Sequence, residues 1–141
     1  MSKAKLMAAL ENFYSGYCVR VDAEKLLDTK VEIGGKTSTV AKIARKENFT
    51  AEETAAFVIV VESFDVDEAV EIVKNHEYRL FPDAHDDYTL GEALFWELRH
   101  EEKSLPPYLT EICINFENLG WVYRTNITGS YFTDYGFVEI F

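Results

Sequence analysis

The chain has 141 residues, is 48% hydrophobic and 14% aromatic, and carries a formal net charge of −11. That combination describes one compact body, or two very small ones sharing a core, and excludes a disordered acidic tail. Negative charge repels phosphate, so nucleic acid and anionic membranes are poor direct partners, and a positively charged protein surface is a good one.

Cys18 and Cys113 stand far apart with no CxxC spacing, which suggests neither a zinc site nor a disulfide framework. There is no apolar leader and no run of 18 apolar residues, so a reduced, cytoplasmic protein is expected.

In chain order, Leu6–Leu10 fits either a helical turn or a strand. Ser15-Gly16 reads as a turn, and Tyr17, Val19 and Val21 alternate as in a strand. Ala23–Leu27 fits one helical turn, and Lys30–Ile33 a strand ending at Gly34-Gly35. Gly34-Gly35-Lys36-Thr37 has part of a phosphate-binding loop but lacks its first glycine, and a turn is the better reading. Thr37 or Ser38 is expected to cap a helix over Thr39–Lys46.

Three helix starts then share one signature, a hydroxyl or carboxylate followed three residues later by Glu. Thr50 with Glu53 opens Ala51–Val61, Asp65 with Glu68 opens Val66–Lys74, and Thr89 with Glu92 opens Leu90–His100. Glu77–Phe81 is a short strand stopped by Pro82. Pro106-Pro107 breaks the chain and starts a helix over Pro107–Ile114; Phe116–Tyr123 is helical despite Gly120. Ile127–Phe141 reads as a β-hairpin with turns at Gly129 and Tyr135-Gly136.

The charge is uneven. Residues 1–50 hold nine Lys/Arg against six Asp/Glu, whereas residues 62–102 hold thirteen acids against three bases. Acids usually do no more than solvate helix faces. Here Asp67, Glu68 and Glu71 recur at i, i+3 and i+4 spacing, as do Glu97 and Glu101 at i, i+4. Such like-charge pairs cost a few tenths of a kcal/mol each, so a fold accepts them for solubility or for a partner. Carboxylates one helical turn apart step about 5–6 Å along a surface. Duplex DNA carries one charge per roughly 1.7 Å of axis, so side-by-side helices can imitate a phosphate array.

Catalytic readings are weaker. Asp83, His85, Asp86 and Asp87 lie close in one loop and contain metal-ligand types, but the HExxH spacing of zinc hydrolases is absent. No GxSxG or paired-cysteine motif appears either. No catalytic residue, metal or cofactor is expected, and an enzyme using His85 is the third reading.

A family resemblance enters through the C-terminal third. Leu105-Pro106-Pro107-Tyr108-Leu109, Ile114–Gly120, Ile127–Phe132 and Asp134–Val138 resemble, in order and spacing, the end of the antirestriction ArdA family. The Asp65–Val73 helix, the Glu77–Phe81 strand and the Leu90-Gly91 helix are similar to its middle region, so the likeness covers roughly residues 37–141. Asn115 stands where the family usually has Asp, and Trp121-Val122 replaces its usual Arg-Asp.

The resemblance implies an elongated, homodimeric mimic of bent B-form DNA that occupies the DNA groove of type I restriction-modification enzymes, without catalysis or cofactor. The expected fold is α+β, built of small acidic subdomains in an elongated arrangement. A strand-rich segment would span 1–36, a central acidic domain 37–103, and a helix plus hairpin 104–141. The phosphate surrogates would be Asp65, Asp67, Glu68, Glu71, Asp83, Asp86, Asp87, Glu92, Glu97, Glu101 and Glu102. The alternatives are an inhibitor of another nucleic-acid enzyme, such as a CRISPR effector, and an acidic protein-interaction module without mimicry. The C-terminal aromatics, Phe116, Trp121, Tyr123, Tyr131, Phe132, Tyr135 and Phe137, are expected in the core, with dimer contact as the second choice.

Overall fold

The computed structural model describes residues 2–102 and 114–141; of residues 98–102 it describes the backbone alone. The expected Pro107–Ile114 helix therefore falls almost entirely outside the described residues. The described part is α+β, with seven helices and two small antiparallel sheets. None of these helices is long and apolar enough to cross a membrane.

The first 36 residues are more helical than expected. Helix α1 runs Lys3–Ser15, opened by the Ser2 hydroxyl accepting from the Lys5 N–H, and it buries Leu6, Leu10 and Tyr14. These lie at i, i+4 and i+8, one face of a helix. No strand forms over Tyr17–Val21. The N–H groups of Tyr17, Cys18 and Val19 are spent on the carbonyls of Tyr14, Ser15 and Tyr14, closing the helix end, with Cys18 at a φ of +58°. Short helix α2 (Ala23–Leu27) follows, capped by Asp22.

Strand β1 (Lys30–Ile33) turns at Gly34-Gly35, both at positive φ, into β2 (Lys36–Thr39). Glycine suits these two positions because it lacks the Cβ that penalises that region. The helix expected to be capped at Thr37 or Ser38 begins later: Thr39 caps α3 (Val40–Glu47), because the residues before it pair with β1.

Helix α4 (Ala51–Val60) carries the expected capping box, Thr50 and Glu53 each accepting the other's backbone N–H. It is buried on all sides from Thr54 to Val60. Around it pack α1, α3, α5 (Val66–Lys74) and the last strand, β4 (Phe137–Ile140).

Strand β3 (Tyr78–Phe81) pairs antiparallel with β4, Tyr78 opposite Ile140 and Phe81 opposite Phe137. Residues directly opposite share a face, and successive residues alternate. Tyr78, Leu80, Val138 and Ile140 accordingly join the first core with α4. Phe81 and Phe137 face a second, smaller core with Ala84, Leu90 and Leu94. The expected hairpin partner of β4 is reduced to a bridge: Ser130 donates to the Val138 carbonyl and Ile140 to that of Thr128.

Helix α6 (Asp87–Glu102) starts three residues before the expected Leu90, because the cap is Asp86 and not Thr89: Asp86 Oδ1 accepts from the Thr89 N–H, and Thr89 Oγ1 accepts from the Asp86 N–H. That is a capping box with Asp86 as cap and Thr89 three residues on. Helix α7 (Phe116–Asn126), capped by Asn115, crosses α6 at backbone contact. A Cβ on Gly91 would lie 1.8 Å from the Phe116 carbonyl oxygen, and one on Gly120 would lie 1.8 Å from that of Asp87. Gly120, a weak helix residue by propensity, is thus required by packing.

Gly120→Ala should therefore push α7 off α6 and destabilise the chain by about 3 kcal/mol or more, read as a lower denaturant midpoint at unchanged m-value. A loss under 1 kcal/mol would mean that the helices do not approach this closely.

Candidate partner-binding surface

The sequence-selected carboxylates divide into two groups. The first lies on α5, whose buried side carries Val66, Ala69 and Val73. Asp65, Asp67, Glu68 and Glu71 are all exposed on the other side. Asp65 spends one oxygen on the Glu68 N–H at the helix start. The only base on this helix, Lys74, is turned away from them and held 2.5 Å from Glu47 of α3. Asp67, Glu68 and Glu71 are therefore left without an ion-pair partner among the described residues.

The second group surrounds a groove of about 680 Å³ bounded by the turn after α1, by β3 with the following Pro82 and Asp83, and by α6. Asp83, Glu92 and Glu97 line it, together with Arg79, Tyr17 and Trp96. Glu97 approaches Arg79 at 3.6 Å. Burial, followed by the charges of Glu52, Asp83 and Glu97, pushes the Tyr17 phenol above its ordinary value. Burial also raises the Glu139 carboxyl, with Arg79 opposing that rise and Glu97 adding to it. The Tyr123 hydroxyl donates to this same carboxylate. Arg79 and Glu139 are cross-strand partners on the face of the sheet that meets α6 and α7, which is why these four side chains converge.

The remaining acids have structural work. Asp86 caps α6. Asp87 binds Arg124 of α7 through two hydrogen bonds, at 2.8 and 3.2 Å, and the same guanidinium lies 5.8 Å from the Phe132 ring. Glu101 and Glu102 fall in the last turn of α6, where only the backbone is described. The Asp83–Asp87 loop does not gather a cation site: among the described residues no three His, Cys, Asp or Glu side chains converge for one.

Sequence reasoning missed Glu52 and Glu139, whose charges on α4 and β4 are felt at Tyr17 and alongside Glu97 without lining the groove itself. Neither belongs to a charge-dense stretch, and only the fold brings them to Tyr17 and Glu97. It also misjudged two aromatics. Trp121 is 52% exposed and Tyr131 77%, whereas Phe137 is buried as expected. Trp121 points away because α7 turns Gly120, not its bulky neighbour, toward α6.

Compared with known proteins, the chain matches no family model, and no characterised sequence aligns with it significantly.

Hydrogen bonds from the Thr89 backbone and hydroxyl hold the Asp86 carboxyl below its ordinary value of 3.8. A depressed carboxyl adds stability above its unfolded-state pKa and loses it as pH falls through the folded one. Asp86→Ala should thus cost about 1 kcal/mol at pH 7. The gap from the parent protein should close as pH falls below 3.8, measured by denaturant titration across pH.

Proposed function

We propose that this chain is a DNA-mimic inhibitor of a DNA-binding host-defence enzyme, with type I restriction-modification enzymes as the first target class. The observation that carries this reading is the outer face of α5. Three carboxylates stand there in one exposed cluster while the nearby base is engaged by Glu47. Asp83, Glu92 and Glu97 add a second set on another packed helix and its adjoining loop.

Anions carried on packed helices need no backbone ordering when a basic cleft closes on them, which lowers the cost of binding. Each exposed pair is worth little alone, so the effect is collective. The cleft would release its own condensed anions and the mimic its cations, giving the salt dependence typical of protein–DNA contacts. The ArdA likeness of residues 37–141 supports the same target and a homodimeric state. A different nucleic-acid enzyme, such as a CRISPR effector, would meet the same surface.

A second reading, an interaction module whose acids only solvate, is favoured by the exposed Trp121, Val122 and Tyr131. Salt separates the two, because an apolar interface is nearly indifferent to it.

The test is competition with duplex DNA for a purified type I enzyme. The parent chain should displace DNA, and its affinity should fall by orders of magnitude between 50 and 200 mM salt, as expected when several phosphate contacts are replaced. Combined reversal of Asp67, Glu71, Asp83 and Glu92 to Lys should abolish displacement while the circular dichroism spectrum stays native. Undiminished displacement by that variant would remove the basis for mimicry.

A further inference from the structure

Strand β3 has one edge that no ladder occupies. The Phe141 N–H donates to the Glu77 carbonyl, so by antiparallel alternation the main-chain groups of Arg79 and Phe81 also turn toward β4. Those of Tyr78 and Leu80 turn the other way. The far side of β4 follows the same alternation, with Ser130 donating to the Val138 carbonyl and Ile140 to that of Thr128. Among the described residues nothing bonds the outward N–H and C=O groups of Tyr78 and Leu80.

That edge opens into the groove beside α6. Arg79 and Leu80 are successive strand residues with side chains on opposite faces of the sheet, yet both line the groove. One wall is the Tyr17–Val19 turn, on the face of Leu80, and the other is α6, on the face of Phe81. A groove walled from both faces of a sheet must pass round the strand at its free edge. Natural sheets cover or blunt such edges. Here Pro82 stops the strand, but the edge before it stands open.

We propose that an extended segment of a protein partner adds to β3 as a further strand, apolar opposite Tyr78 and Leu80 and basic at either end. Cross-strand partners share a face, so residues opposite Tyr78 and Leu80 would meet Tyr17 and Val19. The residue opposite Arg79 would be uncharged, to avoid a like-charge pair. At the two ends of β3 stand Glu77 and, beyond Pro82, Asp83 with Glu92 across the groove, which suit cations. Main-chain hydrogen bonds would give affinity and the alternate side chains specificity. Nucleic acid is repelled by these carboxylates. Strand addition needs no DNA mimicry, which rests on the outer face of α5.

The full-length chain, labelled with ¹⁵N, is titrated with acetyl-Arg-Val-Thr-Val-Arg-amide, whose symmetry serves either strand direction. The Leu80 amide is followed by NMR for shift and for hydrogen exchange. Two further peptides carry N-methyl groups, one on both valines, whose N–H groups would face β3, and one on the threonine, whose N–H would face away. A fourth has glutamate in place of arginine.

The Leu80 signal should shift saturably, and its exchange should slow about tenfold with peptide at about ten times its dissociation constant. Methylation of the valines should weaken binding by about tenfold or more, whereas methylation of the threonine should leave it unchanged. The glutamate peptide should bind more weakly than the arginine one. Equal binding by the two methylated peptides, equal binding by the glutamate peptide, or no saturable Leu80 shift would each overturn the proposal. So would Leu80 exchange that slows with protein concentration in the absence of peptide, since a second copy would then hold the edge. A chain that displaces duplex DNA from a type I enzyme while its Leu80 ignores the peptide would keep the mimicry and lose strand addition.

Discussion

The structure depends on burying helix α4 on every side. From Thr54 to Val60 it has no exposed residue, so other elements must surround it completely. A helix apolar all round is stable in water only under such cover. Its polar groups are settled internally: the capping box serves the first turn, and the buried Thr54 hydroxyl donates to the Thr50 carbonyl at 2.8 Å. The covering helices α1, α3 and α5 each give one face to α4 and keep another for solvent, while the other face of β4 serves the second core. On α5 that second face is where Asp67, Glu68 and Glu71 stand. The helix that carries the acidic surface is thus anchored by the core through Val66, Ala69 and Val73.

The β3–β4 pair links this core to the second one. Because cross-strand partners share a face, Tyr78 with Ile140 and Leu80 with Val138 serve α4, while Phe81 with Phe137 serves α6. Arg79 and Glu139, the remaining pair, emerge on the α6 side, where their charges meet Glu97 and the Tyr123 hydroxyl. A further long-range tie closes the chain on itself: the buried Tyr14 hydroxyl of α1 donates to the Tyr135 carbonyl at 2.7 Å. The N-terminal helix and the C-terminal segment are therefore parts of one body, and the first core takes side chains from both sides of the expected boundary at residue 36.

Local chemistry was legible in the sequence. The Thr50–Glu53 box, the Asp65 cap and the 3.6-residue stripe of α5 are signals carried within a few residues, and each forms. The errors lie where a local pattern competes with a non-local one. Tyr17–Val21 alternates like a strand, but with no partner strand its N–H groups go to the end of α1. Thr89 has the right neighbour for a cap, yet Asp86 precedes it by three residues and reverses its role from cap to partner. Of the candidate surface, the α5 acids could be read from their spacing alone. The groove could not, because Tyr17, the Arg79–Asp83 stretch and Glu92 come from three separate places in the chain and only the fold assembles them.

The Gly91–Gly120 crossing has a wider consequence. The angle and separation of α6 and α7 are fixed by main chain against main chain, with no side chain in between at the point of closest approach. Outward-facing residues on the two helices, such as Trp121 and Val122, can then be exchanged, in charge or in bulk, without re-aiming either axis. The crossing is thus a chassis whose outward lettering can be rewritten while its frame stays put.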